Sequence, residues 1–227
     1  MTEQALTLNG ARLTGRASGA LWWAEERLLC VADLHLGKSE RIARRGGALL
    51  PPYETAETLD RLEAEIAALD PEMVVCLGDS FDDGAAEAGL EATARVVLAR
   101  MAAGRTWVWV AGNHDPGALA EVRLGALVFR HAAAAAAGAG EISGHYHPKL
   151  RMVTAGRAIS RRCFVCDGRR LVLPAFGAFT GGLDADTPVI AGLFGPEAVA
   201  VLVGEPCVRV PLWTAAGRRV RAGRLRG

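Results

Sequence analysis

Short apolar runs alternate with amphipathic stretches along the chain, a rhythm that predicts mixed α/β layers. Residues 20–24 (ALWWA) and 27–32 (RLLCVA) read as two strands joined by a tight turn at Glu25-Glu26. After Pro51-Pro52, Leu59, Leu62, Ile66 and Leu69 recur at helical spacing, so 53–69 is expected to be a helix that stops at Asp70-Pro71. MVVCL at 73–77 reads as a short buried strand, 85–102 as a helix and TWVWV at 106–110 as a further strand. Residues 132–140 are almost wholly alanine and glycine, which predicts a loop or weak helix before EISG at 141–144 returns to a strand end. CFVCDGRRLVL, PVIAGLF, AVAVLVG and CVRVPLW then read as strands separated by turns, a second sheet within 160–213 packed beside the first. No internal repeat or boundary interrupts 1–227, so a single domain is expected, with a basic tail over 217–227.

Composition narrows the class. A chain of 227 residues, 51% hydrophobic and 22% charged, is long and apolar enough to bury a core. No apolar run approaches the roughly 20 residues of a membrane-spanning helix. Met1 to Gly10 carries acid and polar residues and does not read as a signal peptide, so a cytoplasmic location is expected. A net charge of +1 gives no global basic field. Basic residues nevertheless cluster at Lys38, Arg41, Arg44 and Arg45, and Arg218, Arg219, Arg221, Arg224 and Arg226 crowd the C-terminus. A solvated helix face and a polar tail are the plainer reading of both. Five cysteines, an odd count without a secretory context, argue for reduced thiols. Cys163 and Cys166 form a lone CxxC, better explained by a strand running into the Asp167-Gly168 turn than by zinc or redox chemistry.

The chemistry concentrates around histidine. Of His35, His114, His131, His145 and His147, four sit in compact polar clusters after predicted strands: Asp33-Leu34-His35, Asn113-His114-Asp115 and His145-Tyr146-His147. Gly78-Asp79 follows the strand at 73–77 in the same way. Sites in α/β sheets collect at the carboxyl ends of strands, so these turns are expected to converge. In an extended segment, positions i and i+2 share a side, which lets Asp33 with His35, and His145 with His147, each present two ligand atoms to one place. Imidazole and carboxylate together suit divalent transition metals such as Mn, Fe or Zn. A carboxylate has two oxygens, so Asp79 is able to bridge two ions. Taken singly, DxH and GD are ordinary turn chemistry; the whole ordered set is not. Neither a glycine-rich phosphate loop with lysine nor a GxSxG elbow is present, which leaves nucleoside-triphosphatase and serine-hydrolase readings without support.

The order DxH, GDxxD, GNHD, isolated His, GHxH resembles the calcineurin-like metallophosphoesterase family. The matching residues are Asp33 and His35; Gly78, Asp79 and Asp82; Gly112 to Asp115; His131; and Gly144, His145 and His147. The resemblance implies the metallophosphoesterase fold, a four-layer α/β/β/α sandwich of two mixed sheets flanked by helices. It implies one ion on Asp33, His35, Asp79 and His147, and another on Asp79, Asn113, His131 and His145. His114 would stay off the metals and face substrate as the catalytic histidine, with Asp115 orienting it, and Asp82 or Asp83 would support the ligands or serve only as a turn acid. The implied cofactor is a pair of divalent ions, Mn2+ first, with Fe, Zn, Ni or Mg as alternatives. Such a pair, about 3.5–4 Å apart, acidifies water toward neutral pH and offsets charge on the phosphoryl oxygens. Two further stretches, LGKSERIARRGGALLPPYETAETLDRL and LPAFGAFTGGLD, are similar to the bacterial ligase-associated DNA-damage-response endonucleases. That likeness implies a phosphodiesterase acting on DNA, with a DNA ligase or helicase as functional partner; Lys38, Arg41, Arg44 and Arg45, beside the first ligand cluster, could pair with backbone phosphates. The enzyme alternative is a small-substrate phosphatase or cyclic nucleotide phosphodiesterase. A non-catalytic scaffold would be expected to have lost ligands.

Overall fold

Asn9 and Gly10 both hold positive φ (47° and 86°), the combination a two-residue hairpin needs. They fold strand β1 (Glu3–Leu8) antiparallel onto β2 (Ala11–Arg16), a hairpin the apolar pattern did not reveal. This computed structural model describes residues 2–44, 53–114, 119–136, 138–154 and 157–213. Strands β3 (Leu21–Trp23) and β4 (Leu28–Ala32) follow, separated by a 3-10 turn and a left-handed Arg27. The sheet continues with β5 (Met73–Leu77) and β6 (Thr106–Val110), in the order β1-β2-β3-β4-β5-β6. Pairing is antiparallel as far as β4 and parallel across β4, β5 and β6. Parallel neighbours need crossovers. These contain α1 (Lys38–Arg44) and α2 (Glu54–Leu69), then α3 (Gly84–Gly89) and α4 (Ala92–Ala102).

The apolar run of β4 is unbroken because both its faces are covered. Leu29 and Val31 pack with Val74 and Cys76 against Leu59, Leu62 and Ile66 of α2. Leu28, Cys30 and Ala32 face the other way, into the core between the sheets. The second sheet comprises β7 (Glu121–Leu124), β8 (Leu127–Arg130), β9 (Glu141–Ser143), β10 (Lys149–Thr154), β11 (Arg157–Cys166), β12 (Arg170–Val172), β13 (Val199–Leu202) and β14 (Val208–Pro211). Its order is β14-β13-β11-β12-β9-β8-β7, with β10 paired to β11. It is also mixed, since β12–β9 and β9–β8 run parallel. Phe129, Ile142, Phe164, Leu171 and Val201 on its inner face meet Leu6, Leu8, Leu13 and Val75 of the first sheet.

The expected four layers are present but unequal. The outer face of the second sheet (Cys163, Val165, Ala200, Leu202) packs with Ala185 and Ala198, and the only helix between those two residues is the four-residue α5 (Pro188–Ala191). The stretch 188–194, read as a strand, is therefore this helix and its turn. Pro188 at the first helical position favours it, and the backbone N–H groups of Ala191 and Gly192 bond back to Thr187 and Pro188. The helix expected over 85–102 is broken at Leu90, whose ψ of 132° ends α3 and turns the side chain into the core. The described part of 132–140 forms turns without a helix. Cys163 and Cys166 lie on opposite faces of the second sheet, so they cannot chelate one ion; all five cysteines are free and buried. The basic tail at 217–227 lies outside the described residues.

Candidate metal centre

The polar clusters leave the ends of five strands. Asp33 to His35 follow β4, Gly78-Asp79 follow β5, Asn113-His114 come after β6, His131 follows β8, and Gly144 to His147 follow β9. The segments are not extended, as their i, i+2 spacing suggested. Asp33, His35, Asp79, His145 and His147 all hold left-handed backbone, with φ of 55°, 48°, 44°, 70° and 48°. Residues with a Cβ adopt this region only under local constraint, although Asp and His tolerate it better than most. Here the constraint is mutual lacing. The N–H of His35 donates to the carbonyl of Asp79 (2.9 Å). The N–H of His145 donates to Asp33 Oδ2 (2.9 Å) and that of His114 to Asp79 Oδ1 (3.1 Å). Left-handed turns, one residue apart, aim the two ligands of each DxH or HxH unit together while the intervening Leu34 enters the core.

Two groups of ligand atoms result, each with its atoms within 4.8 Å of one another: Asp33, His35 and His147, and Asp79, His131 and His145. In the first, His147 Nε2 lies 3.3 Å from Asp33 Oδ1 and 3.5 Å from His35 Nε2. In the second, His131 Nε2 lies 3.4 Å from Asp79 Oδ2 and 3.1 Å from His145 Nδ1. The groups adjoin, with His131 Nδ1 3.7 Å from Asp33 Oδ1. These separations suit a divalent ion: ligands at about 2.0–2.2 Å from a tetrahedral centre lie about 3.4 Å from each other. Pairs of imidazole nitrogens facing each other with lone pairs repel unless a cation or proton sits between them. The donor set therefore fits two divalent ions.

Outer contacts fix which nitrogen faces inward. His131 Nδ1 is 3.0 Å from the carbonyl of Leu77, so that nitrogen carries the proton and Nε2 offers its lone pair. His35 Nδ1 lies 3.0 Å from Asp82 Oδ1, leaving Nε2 for an ion. Glycine is required at two points of closest approach. A Cβ on Gly78, itself at φ 65°, would meet the His131 ring at 2.5 Å, and one on Gly144 would meet Asp33 Oδ2 at 2.6 Å. Burial on its own would lower the His131 pKa, but the Asp79 and Asp33 carboxylates and the Leu77 carbonyl outweigh it and raise the group to about 9. Burial would raise Asp79, but its hydrogen bonds and attraction to His131 and His114 hold it well below the usual carboxylate range. Burial and the neighbouring His131 lower His145. The metal-free site thus keeps a proton where an ion would sit.

Asn113 adjoins the second group, its amide 3.3 Å from His145 Nδ1, and rotation of that amide presents the oxygen instead. His114 is exposed, its ring edge-on to His35 with centroids 6.1 Å apart. Among the basic residues expected on phosphate, Arg41 is turned inward onto Asp82. Lys38 is half-buried and donates to the carbonyl of Phe179 at 3.4 Å. Arg44 closes α1, while Arg45 and Asp115 lie outside the described residues. One wall of the site carried no chemical motif. The N–H of Gly177 bonds to the carbonyl of Asp33 (3.1 Å), and a Cβ on Gly182 would lie 2.1 Å from the carbonyl oxygen of His147. The glycines at 177 and 182 were the signal of that close approach.

Two adjacent His/Asp clusters at the strand ends of two packed mixed sheets define a dinuclear metal-dependent hydrolase. The chain belongs to the calcineurin-like phosphoesterase family, whose model matches residues 26–169. Among solved structures it is similar to the crystal structure of Pseudomonas putida nuclease MPE, with a TM-score of 0.69 and 28% sequence identity over 92% of this chain and 100% of that one. A comparison with curated proteins found no match.

Proposed function

We propose that this phosphoesterase is a phosphodiesterase that cleaves nucleic acid, DNA before RNA, in DNA repair, with Mn2+ as its working metal. The reading is carried by the two adjoining ligand groups, Asp33 with His35 and His147, and Asp79 with His131 and His145. The likeness to a nuclease, over nearly the whole of both chains, supports nucleic acid as the substrate class.

Asp33, His35 and His147 would hold one ion and Asn113, His131 and His145 the other, with Asp79 shared between them. When bound, the ions supply Lewis acidity, making hydroxide available near neutral pH and offsetting charge on the phosphoryl oxygens. The protein's part is placement. Asp79 is oriented by the His114 N–H on one oxygen and by His131 beside the other. His114 stands exposed at the rim, where it donates a proton to the departing oxygen. Lys38, on the carbonyl of Phe179 in the loop that packs on Asp33 and His147, would contribute positive charge toward the phosphate chain.

A panel of single-stranded DNA, duplex DNA, RNA, a cyclic nucleotide and phosphomonoesters, run with Mn2+, tests this. The expected result is cleavage of DNA, and hydrolysis of bis-(p-nitrophenyl) phosphate above that of the monoester. A strong monoester preference would favour a small-substrate phosphatase instead. Asp79→Asn should cut turnover by at least about a hundredfold, beyond the range for loss of an outer partner of a ligand; retained turnover would remove the shared-ligand assignment.

A further inference from the structure

We propose that the loop 177–183 is a stacking platform beside the metal centre, on which Phe179 holds an unpaired base of the strand being cut. The proposal rests on the nucleic-acid reading above and specifies it: the substrate segment at the site is single-stranded or locally unpaired.

The loop is fastened at both ends to segments that carry metal ligands. Gly177 N–H bonds to the carbonyl of Asp33 at 3.1 Å, and Leu183 N–H approaches the carbonyl of Tyr146 at 3.5 Å. The backbone N–H of Ala178 is pinned by Thr58 Oγ1 of α2 at 2.9 Å, and Gly182 packs directly on the backbone of His147. Between these anchors the loop shows solvent an aromatic ring. Phe179 is 50% exposed and Leu183 is 44% exposed. Phe179 also holds φ of 51°, a conformation that bulky side chains rarely adopt. An exposed ring in that state gains nothing from the core and costs free energy, although glycines stand two and three residues further on. A ring kept out of the core, on a loop built against the ligand segments, has the placement of a ligand contact.

Charge around the ring matches a polynucleotide. Lys38 Nζ donates to the carbonyl of Phe179 at 3.4 Å, and the Lys149 side chain lies against Gly182, its Cε 3.1 Å from where a Cβ would stand. Burial lowers the Lys38 pKa, with Arg41 and Lys149 adding to the shift and Asp82 and Glu54 opposing it. An exposed aromatic ring on a loop that two lysines contact is the combination that binds single strands without reading sequence: bases stack on the ring and phosphates meet the lysines. A base already paired within a duplex has its faces covered by its neighbours, so the ring gains contact only with one that is unstacked.

The test compares a short fluorescein-labelled oligothymidylate with an abasic strand of the same length, binding to the Mn2+-loaded His114→Ala protein by fluorescence anisotropy. Phe179→Ala should weaken the oligothymidylate roughly tenfold, the effect of removing one stacking platform, and leave the abasic strand unchanged within about twofold. Phe179→Trp should restore or tighten oligothymidylate binding. The pair Lys38→Gln and Lys149→Gln should weaken both strands alike and lower the slope of log affinity against log salt by about 1.4, from two phosphate contacts at about 0.7 each. If Phe179→Ala affects both strands equally, or neither, while the parent protein cleaves single-stranded DNA, the platform is refuted and the nuclease reading stands. If the parent protein hydrolyses bis-(p-nitrophenyl) phosphate but neither binds nor cleaves any nucleic acid, both are refuted.

Discussion

Asp82 never reaches the ligand groups, yet it decides how one of them is presented. Its Oδ1 sits 3.0 Å from His35 Nδ1, its Oδ2 takes the guanidinium of Arg41, and it is almost wholly buried. A carboxylate in that position selects the tautomer of the imidazole and fixes the orientation of its ring. Asp82→Asn should therefore weaken Mn2+ binding about 10- to 100-fold with little change in fold, as measured by calorimetric titration and circular dichroism. Gly144 acts through space alone. Its absent Cβ leaves room for Asp33 Oδ2 and for Ala32 Cβ, 2.6 and 2.7 Å from where it would stand. Gly144→Ala should cost about 1–3 kcal/mol through overpacking, visible as a lower denaturation midpoint, and should displace the Asp33 carboxylate. At this scale the ligand types were legible in the sequence, because few side chains bind divalent ions and they occur in tight clusters. Their backbone was not. The left-handed turns at Asp33, His35, His145 and His147 arise from hydrogen bonds between segments as much as 112 residues apart, as from His145 to Asp33, and no local spacing encodes those.

Helix α2 braces the site from outside it. Thr55 Oγ1 accepts from the N–H of Gly37 at 3.0 Å, just past His35, and Thr58 Oγ1 accepts from the N–H of Ala178 at 2.9 Å, in the loop that walls the centre. Thr58 also donates to the carbonyl of Glu54 one turn back, so its hydroxyl both donates and accepts. Thr58→Val keeps the shape and leaves a buried N–H without an acceptor, which costs about 1–3 kcal/mol. Urea denaturation should register that loss; an unchanged midpoint would mean that the loop re-forms its bond elsewhere. The helix itself was readable from the spacing of Leu59, Leu62 and Ile66, all of which face the core. Strands β4, β5 and β6 were readable because burial on two faces makes them unbroken apolar runs. The elements that escaped detection have less distinctive signals. In β1 only alternate positions near the end are buried, and β7 is a four-residue edge strand with no fully buried residue. The segment 188–194 has the apolar content of a strand but the start of a helix, and Pro188 decided the outcome.

Across the whole molecule, two sheets close over one core and bring the ends of β4, β5 and β6 against those of β8 and β9, so both candidate ligand groups are placed by a single packing arrangement. The electrostatics of that arrangement respond to pH in opposite directions with and without metal. In the metal-free protein His131 is raised from its ordinary 6.5 to about 9, its burial more than offset by Asp79, Asp33 and the Leu77 carbonyl. A folded-state value above the unfolded one gives stability that is fully present below pH 6.5 and is lost as pH rises through about 9. Asp79, held below its ordinary 3.8, adds stability above that pH which is lost only on further acidification. Binding an ion at Asp79, His131 and His145 must expel the His131 proton, so affinity at that group rises about tenfold per pH unit until the ring is neutral. The melting temperature of the metal-free protein should accordingly decline between pH 6.5 and about 9, while the increment produced by a fixed excess of Mn2+ grows over the same interval. His131→Gln, which carries no titrating proton, should flatten both trends. A metal increment that stayed constant across the interval in the parent protein would show that His131 is already neutral there, and that the ion meets no resident proton.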